Sequence, residues 1–465
     1  MPSGPDGFVS DPHYSAEFER ARALLLAHPR RWRIIYHYDG DGIAAASCAV
    51  RALERLGYPS QATALVGVER DRVAALLGST AGPVLVVDTG ASWLDLFAEH
   101  RAPVVVLDHH KYPGVPNPPP LPEHVAFVNP LDWGVDGMNE LCAATLTWLY
   151  TVFLDPLNWD NAAWGLSGAI ADRQHVGGFR GLNGVLVQEA LRRSLVVRRP
   201  GVALFGPSVG EALSGSIDPF VRNLSGRPPA VSEFLHRLGL DPGRRPSKLT
   251  EEENRRLVAA LKERMSESGV APEAANLLDQ ERWFVPSLGL DAEEVSNLQN
   301  ASGRAGVPGV GVAYALGDTR AADRVRAAES EWRSGILRGL LRVENDGVNS
   351  LRFLRWFESP ETTLAGTQAG LAMNYLLPPD HPVFVFSEGG PGPTKVSARG
   401  TLRQVDRGLD LSAACRIAAG TVGGEGGGHR VASGATIPTG ARPAFLEAAD
   451  RVLADQLGPS EGGNR

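Results

Sequence analysis

Three short apolar runs within the first 110 residues each stop on acidic or imidazole side chains, and no other feature constrains the fold as strongly. Residues 34 to 42 read IIYHYDGDG, residues 84 to 88 read VLVVD, and residues 104 to 110 read VVVLDHH. Such runs, bounded by turn residues and alternating with helical patterns, are the signature of a mostly parallel sheet. In open α/β sheets ligands bind beyond the carboxyl ends of the strands. The side chains that close the runs are therefore candidate site residues: His37, Asp39 and Asp41, then Asp88, then Asp108, His109 and His110. The first three alternate, so all three project from one side if the segment stays extended. A fourth stretch, the small-residue segment from Trp164 to Ile170, is likewise read as an apolar run leading into an acid, Asp172.

Each of these alone has a bland reading. An Asp that closes a buried strand is more often a helix cap or turn residue, and a lone His37 more often structural. Recurrence on three successive strands shifts the balance toward a site. An oxygen-rich set with some imidazole suits Mn²⁺ or Mg²⁺, and the absence of a nearby cysteine argues against zinc or an iron-sulfur cluster. Cys48, Cys142 and Cys415 lie far apart and form no metal spacing. Their odd count fits a reducing cytoplasm, and they are expected to be buried.

Along the chain, strands are expected at 33–36, 84–87, 104–107 and 126–128, alternating with helices at 15–27, 43–56 and 140–154. The Pro-rich segment KYPGVPNPPPLPEH cannot enter a central strand and is read as a surface excursion near the site. From 181 to 290 the pattern becomes helices broken by Gly and Pro, with a capping box at Thr250 and Glu253 ahead of a stripe of Leu257, Leu261 and Met265. Short strands and Gly-rich turns are expected over 291–318, then a charged amphipathic helix over 319–343. The division drawn from this is a parallel-sheet domain carrying the candidate site residues at 1–180, an inserted, mainly helical domain at 181–290, a return to the first domain and a linker helix at 291–343, and a C-terminal domain at 344–465.

The segment MPSGPDGFVSDPHYS has no basic start before an apolar run, and no stretch approaches the roughly 18 apolar residues of a membrane span. A cytoplasmic protein with no membrane partner is expected. The formal charge of -7 gives no general attraction for polyanions, so any nucleic-acid surface must be a local one.

The order HxDxDG, then a strand-ending Asp, then DHH, then a distal Asp resembles the DHH phosphoesterase superfamily. The C-terminal KVSARGTLRQVDRGLDLSAACRIAAGTVGGEGGGHRVASGATIP resembles its DHH-associated domain with the GGGHxxAxG signature. IDPFVRNLSGRP at 217–228 and SNLQNASGRAGVPGVGVAYALGD at 296–318 resemble the archaeal RecJ-like nucleases, which include a nuclease associated with the GINS replication complex. The resemblance implies an α/β fold: a parallel-sheet DHH domain, a helical insertion, and a C-terminal α/β DHH-associated domain across a cleft. It implies two Mn²⁺ ions, with Mg²⁺ as a substitute. Asp88 would bridge them, His37 and Asp39 would hold one, and Asp41, His109 and Asp172 the other. His110 would contact the phosphate or assist the leaving group, with Asp108 orienting a neighbouring imidazole. Asn300, Arg304, Arg399, Gly426, Gly427, Gly428 and His429 would bind substrate, because glycines admit close backbone approach to an anion and guanidinium clamps phosphate oxygens.

The function so implied is exonuclease action on single-stranded DNA or RNA in replication or repair, with a GINS-like protein as a partner through the insertion. The alternative is a nanoRNA or 3'-phosphoadenosine phosphate phosphoesterase acting on short substrates. A replication scaffold without catalysis is disfavoured because every motif residue is intact.

Overall fold

In the computed structural model the described residues are 12–66, 70–279, 281–387 and 392–458; the first eleven residues of the N-terminal segment read above lie outside them. The chain divides into two compact units, Met1–Pro200 with Glu281–Ser330, and Gly201–Gln280 with Glu331–Arg465.

The first unit begins with α1 (Pro12–Leu26), β1 (Trp32–His37), α2 (Gly40–Arg55), β2 (Ser60–Leu65), α3 (Arg70–Gly78), β3 (Val84–Val87), α4 (Leu94–Glu99), β4 (Val104–Leu107) and β5 (Val125–Val128). Helices α5 (Ala143–Leu154), α6 (Ala162–Ala171) and α7 (Gly181–Arg192) follow. The five strands form one parallel sheet in the order β2-β1-β3-β4-β5. Because β3, β4 and β5 are buried on both faces, their sequences read as continuous apolar runs rather than alternations. Alternate residues feed two cores: Leu85, Val87, Val105 and Leu107 pack with α2, α5 and α6, whereas Val84, Val86, Val104 and Val106 pack with Leu77, Leu94 and Phe97. Each such side chain contributes about 1.5–3 kcal/mol on burial. The register aligns Tyr36 with Val87 and Val87 with Leu107, so His37, Asp88 and Asp108, each one residue further on, emerge side by side at one sheet edge.

Two expectations are corrected here. The HYDGD segment does not stay extended: β1 ends at His37, Asp39 caps α2 by accepting from the Gly42 N–H, and Asp41 lies in the first turn of that helix. The stretch before Asp172 is helix α6, with Asp172 as its C-cap. Its small residues serve helix packing, since a Cβ on Gly168 would fall 2.2 Å from Ala144 Cβ and 2.7 Å from Asp41 Oδ1.

A third correction concerns 291–318. After the two-residue strand Leu290–Asp291, the segment is helical, Ala292–Arg304 and then Pro308–Ala315. Two of its glycines mark close approach, since a Cβ would lie 2.0 Å from the Tyr38 carbonyl oxygen on Gly303 and 2.5 Å from Ser302 Oγ on Gly311, while Gly306 and Gly317 keep the turn role at φ 74° and 86°. The edge strand β2, SQATAL, carries too little apolar patterning to be legible. The charged helix runs from Thr319 to Asp346.

In the second unit the Thr250–Glu253 capping box forms as expected, and Leu257, Leu261 and Met265 are buried with Ile336, Leu340, Ala369 and Tyr375. A six-stranded mixed sheet places Glu425–Gly428, Ala432–Ile437, Thr394–Arg399, Val383–Ser387, Arg355–Glu358 and Asn349–Ser350 in that order. Phe384, Phe386, Val396 and Ile437 pack against the helices Leu411–Thr421 and Arg442–Leu457.

Candidate metal centre

The carboxyl edge of the parallel sheet gathers His37, Asp39, Asp41, Asp88, His109 and Asp172. One ring nitrogen of His37 and one oxygen each of Asp39 and Asp88 lie within 4.8 Å of one another, and the same holds for Asp41, His109 and Asp172. Asp88, Asp108, His109 and His110 form a third, overlapping group. His37 Nδ1 is 2.9 Å from Asp39 Oδ2 and 3.6 Å from Asp88 Oδ2. His109 Nε2 is 3.2 Å from Asp88 Oδ1 and 3.7 Å from both Asp41 Oδ2 and Asp172 Oδ2.

The backbone holds these groups under constraint. Asp88 adopts φ 58°, the left-handed region that costs a non-glycine residue on the order of 1 kcal/mol, and Arg173, directly after Asp172, adopts φ 59°. A Cβ on Gly42 would strike the His37 carbonyl oxygen at 2.1 Å and reach Asp88 Oδ2 at 3.0 Å, so only glycine fits where the first motif folds back on the second. Asp41 is fixed by the N-terminus of α5: the Ala143 and Ala144 N–H groups donate to its two oxygens at 2.9 Å, and Cys142 Sγ donates to Oδ1 at 3.0 Å.

Cys142 corrects the expectation that no cysteine lies near the ligands. Its thiol is buried, and burial, followed by the Asp41 and Asp172 charges, pushes its pKa well above the ordinary value. It therefore stays protonated and acts as a hydrogen-bond donor, so the preference for oxygen and imidazole chemistry now rests on its protonation and not on its absence.

Crowded carboxylates dominate the electrostatics. Burial, then the Asp88 charge, raises Asp41 to about 7; burial, then Asp41, raises Asp172 to about 7; burial and the Asp39 charge raise Asp88. Burial disfavours a charged His37, yet the Asp39 carboxylate at 2.9 Å and the negative charge of Asp88 beside it outweigh that and hold the ring at about 11. Asp88 Oδ2 is buried and accepts no hydrogen bond. An unsatisfied oxygen among four carboxylates and two imidazoles is a donor set that a divalent cation would satisfy.

His109 donates from Nδ1 to the Gly137 carbonyl oxygen at 2.7 Å, which leaves Nε2 facing the acids. His110 is half-exposed, and its Nδ1 lies 2.8 Å from Asp108 Oδ1. Asp108 is also held by the Ala91, His109 and His110 N–H groups. Asn300 and Arg304, both on the helix Ala292–Arg304, meet the first motif: Asn300 Oδ1 accepts from the Gly40 N–H at 2.9 Å, and Arg304 lies over the Tyr38 ring and donates to its hydroxyl at 3.1 Å. Arg399, Gly426, Gly427, Gly428 and His429 fall in the second unit, on strands Thr394–Arg399 and Glu425–Gly428 and the turn after the latter. There Arg399 pairs with Ala432 and Gly428 with Ser433, so the arginine and the glycine run flank one shared strand.

Sequence reasoning missed Cys142, Gly137, Gln174 and Tyr38. Only Cys142 carried a local signal, the C-x-x-T start of α5, where Thr145 Oγ1 accepts from the Cys142 N–H.

A five-stranded parallel sheet whose carboxyl edge carries carboxylates and imidazoles, in a chain with a second, mixed-sheet unit, defines an α/β protein with a metal-type centre. The DHH family N-terminal domain matches residues 31–167, and the DHHA1 domain matches residues 365–455. The chain thus carries both a DHH-type and a DHHA1-type domain, and its fold is RecJ-like. An uncharacterized protein of Methanocaldococcus jannaschii is 26% identical over 438 residues, 93% of this chain and 95% of that one. The crystal structure of exonuclease RecJ bound to manganese aligns with TM-score 0.59 at 19% identity, covering 94% of each chain. Cdc45 from Entamoeba histolytica aligns with TM-score 0.64 at 9% identity, covering 95% of this chain and 98% of that one. Family and donor set together support a metal-dependent phosphoesterase. No helix among the described residues is long and apolar enough to cross a membrane.

Proposed function

We propose that this protein is a two-metal phosphodiesterase that removes nucleotides from single-stranded DNA or RNA in replication or repair. The observation that carries the reading is the Asp88 carboxylate, which turns one oxygen toward His109 and the other, unpartnered, toward His37. Mn²⁺, or Mg²⁺ in its place, would be held by His37 and Asp39 on one side and by Asp41, His109 and Asp172 on the other. When bound, such a pair supplies a water of pKa about 7 and neutralises charge on the phosphodiester. The remaining work falls to the chain. Asn300 braces Gly40, and through it the turn that carries Asp39 and Asp41. His110, tethered by Asp108 and open to solvent, is the group we assign to the scissile phosphate or its leaving oxygen. Arg304, Arg399, Gly426, Gly427, Gly428 and His429 are the proposed anion contacts.

A polymeric substrate is favoured over a short one because the likeness to exonuclease RecJ extends over 94% of both chains. By the sequence resemblance, segment 181–290 is the proposed docking element for a GINS-like replication protein. The test is digestion of end-labelled single-stranded DNA and RNA with Mn²⁺ and after chelation: stepwise shortening that requires the metal supports the reading, and intact substrate under both conditions overturns it.

A further inference from the structure

The Gly137 carbonyl oxygen accepts two hydrogen bonds in a buried pocket, one from His109 Nδ1 at 2.7 Å and one from Gln174 Nε2 at 2.8 Å. Gln174 Oε1 in turn accepts from Asn183 Nδ2 at 2.6 Å, and the Asn183 N–H donates to the Glu140 carbonyl at 2.8 Å. His109, Gln174 and Asn183 are all buried, the last with no exposed surface. Neither Gly137, Gln174 nor Asn183 belongs to the sequence motifs.

We infer that Gln174 is a positioning residue for the His109 side of the metal centre, acting through the Gly137 carbonyl; the inference rests on the two-ion reading above. Three points of chemistry support it. The carbonyl fixes which His109 nitrogen carries the proton, so its own placement sets the aim of Nε2 at Asp41, Asp88 and Asp172. Gly137 cannot be held there by its own packing bulk, because any Cβ would lie 2.3 Å from the His109 carbonyl oxygen. Something else must hold this peptide, and the Gln174 amide does so. Finally, the position demands a carboxamide: one end must donate to a carbonyl while the other accepts from an amide N–H. Glutamate would set acceptor against acceptor at Gly137, and leucine would leave Asn183 Nδ2 buried and unpaired, a group whose Oδ1 already lacks a partner. Because Gln174 lies two residues beyond Asp172, one short segment supplies both a carboxylate and the brace for the imidazole opposite it.

The experiment is calorimetric titration of the full chain with Mn²⁺, paired with electron paramagnetic resonance of the bound ions, for the parent, Gln174→Leu and the nearly isosteric Gln174→Glu, each checked for folding by circular dichroism. Groups that orient a metal-binding histidine typically change affinity about 10- to 100-fold. We expect that loss at one of two ions, with the other within about twofold, and a spectrum shifting from a coupled pair toward isolated Mn²⁺. A merely structural role would weaken both ions alike. Folded variants that take up two ions with parental affinities, or lose both equally, overturn the inference. A parent that binds no Mn²⁺ overturns the metal-centre reading and the inference with it.

Discussion

Asp88 Oδ1 lies 3.2 Å from His109 Nε2 while its other oxygen, buried and without a hydrogen-bond partner, lies 3.6 Å from His37 Nδ1. One carboxylate thus spans the two ligand groups, held by a strained backbone at the end of β3. Strain of this kind persists where the surroundings over-determine it, as at functional sites.

Asp88→Ala is therefore expected to abolish hydrolysis, since in the proposed two-ion site both ions would lose a shared ligand. A loss of about 4 kcal/mol of transition-state stabilisation corresponds to roughly a thousandfold in rate. Steady-state activity within tenfold of the parent, in a folded variant, would contradict the bridging role.

Activity with Mn²⁺ is expected to exceed activity with Zn²⁺ or without metal. The donors are carboxylates and imidazoles, and the neighbouring Cys142 is held protonated beside Asp41. Chelation followed by metal add-back checks this; full activity after exhaustive chelation would count against it.

Glu293, at the start of the helix Ala292–Arg304, offers a pH test away from the ligands. Burial, against a weaker pull from Arg282, raises its carboxyl to about 7, and its Oε2 is buried without a hydrogen-bond partner. A group whose folded pKa exceeds its unfolded value of about 4.5 stabilises fully below that value and loses its contribution as pH rises through about 7. Glu293→Gln should match the parent near pH 4.5 and exceed it at pH 8 by on the order of 1–2 kcal/mol. Thermal melts of both proteins across that range decide it, and a variant less stable at pH 8 would refute it.

Arg399→Ala is expected to weaken oligonucleotide binding and to flatten the slope of log affinity against log salt by about 0.7, the share of one phosphate on a single strand. Binding to Asp88→Ala protein at several salt concentrations gives that slope. An unchanged slope would remove Arg399 from the phosphate contacts.

The legible parts of this chain were those specified by local patterning. VLVV and VVVL reveal their strands because both faces are buried, and the register then fixes His37, Asp88 and Asp108 at one edge. Asp172 was legible as an acid after an apolar run, but not as the cap of a helix, because Gly165 and Gly168 are small for contact with Trp148 and Ala144, and such packing has no one-dimensional signature. Asn300 and Arg304 were legible by resemblance alone; the hydrogen bond from Gly40 spans 260 residues. Gln174 was invisible as a site neighbour for the same reason, and the C-x-x-T pattern marks Cys142 only as a helix start, since the fold and not the spacing brings these two to Gly137 and Asp41.

The proposed exonuclease action is tested most directly by turnover, with Mn²⁺, of single-stranded substrates from two to about twenty nucleotides, a range that exceeds a single-strand site of roughly 4 to 16. Poor cleavage of the dinucleotide is expected, with turnover that rises with length as more phosphates reach the proposed anion contacts. Turnover that peaks at two nucleotides and collapses with length would contradict it and assign the site to short substrates.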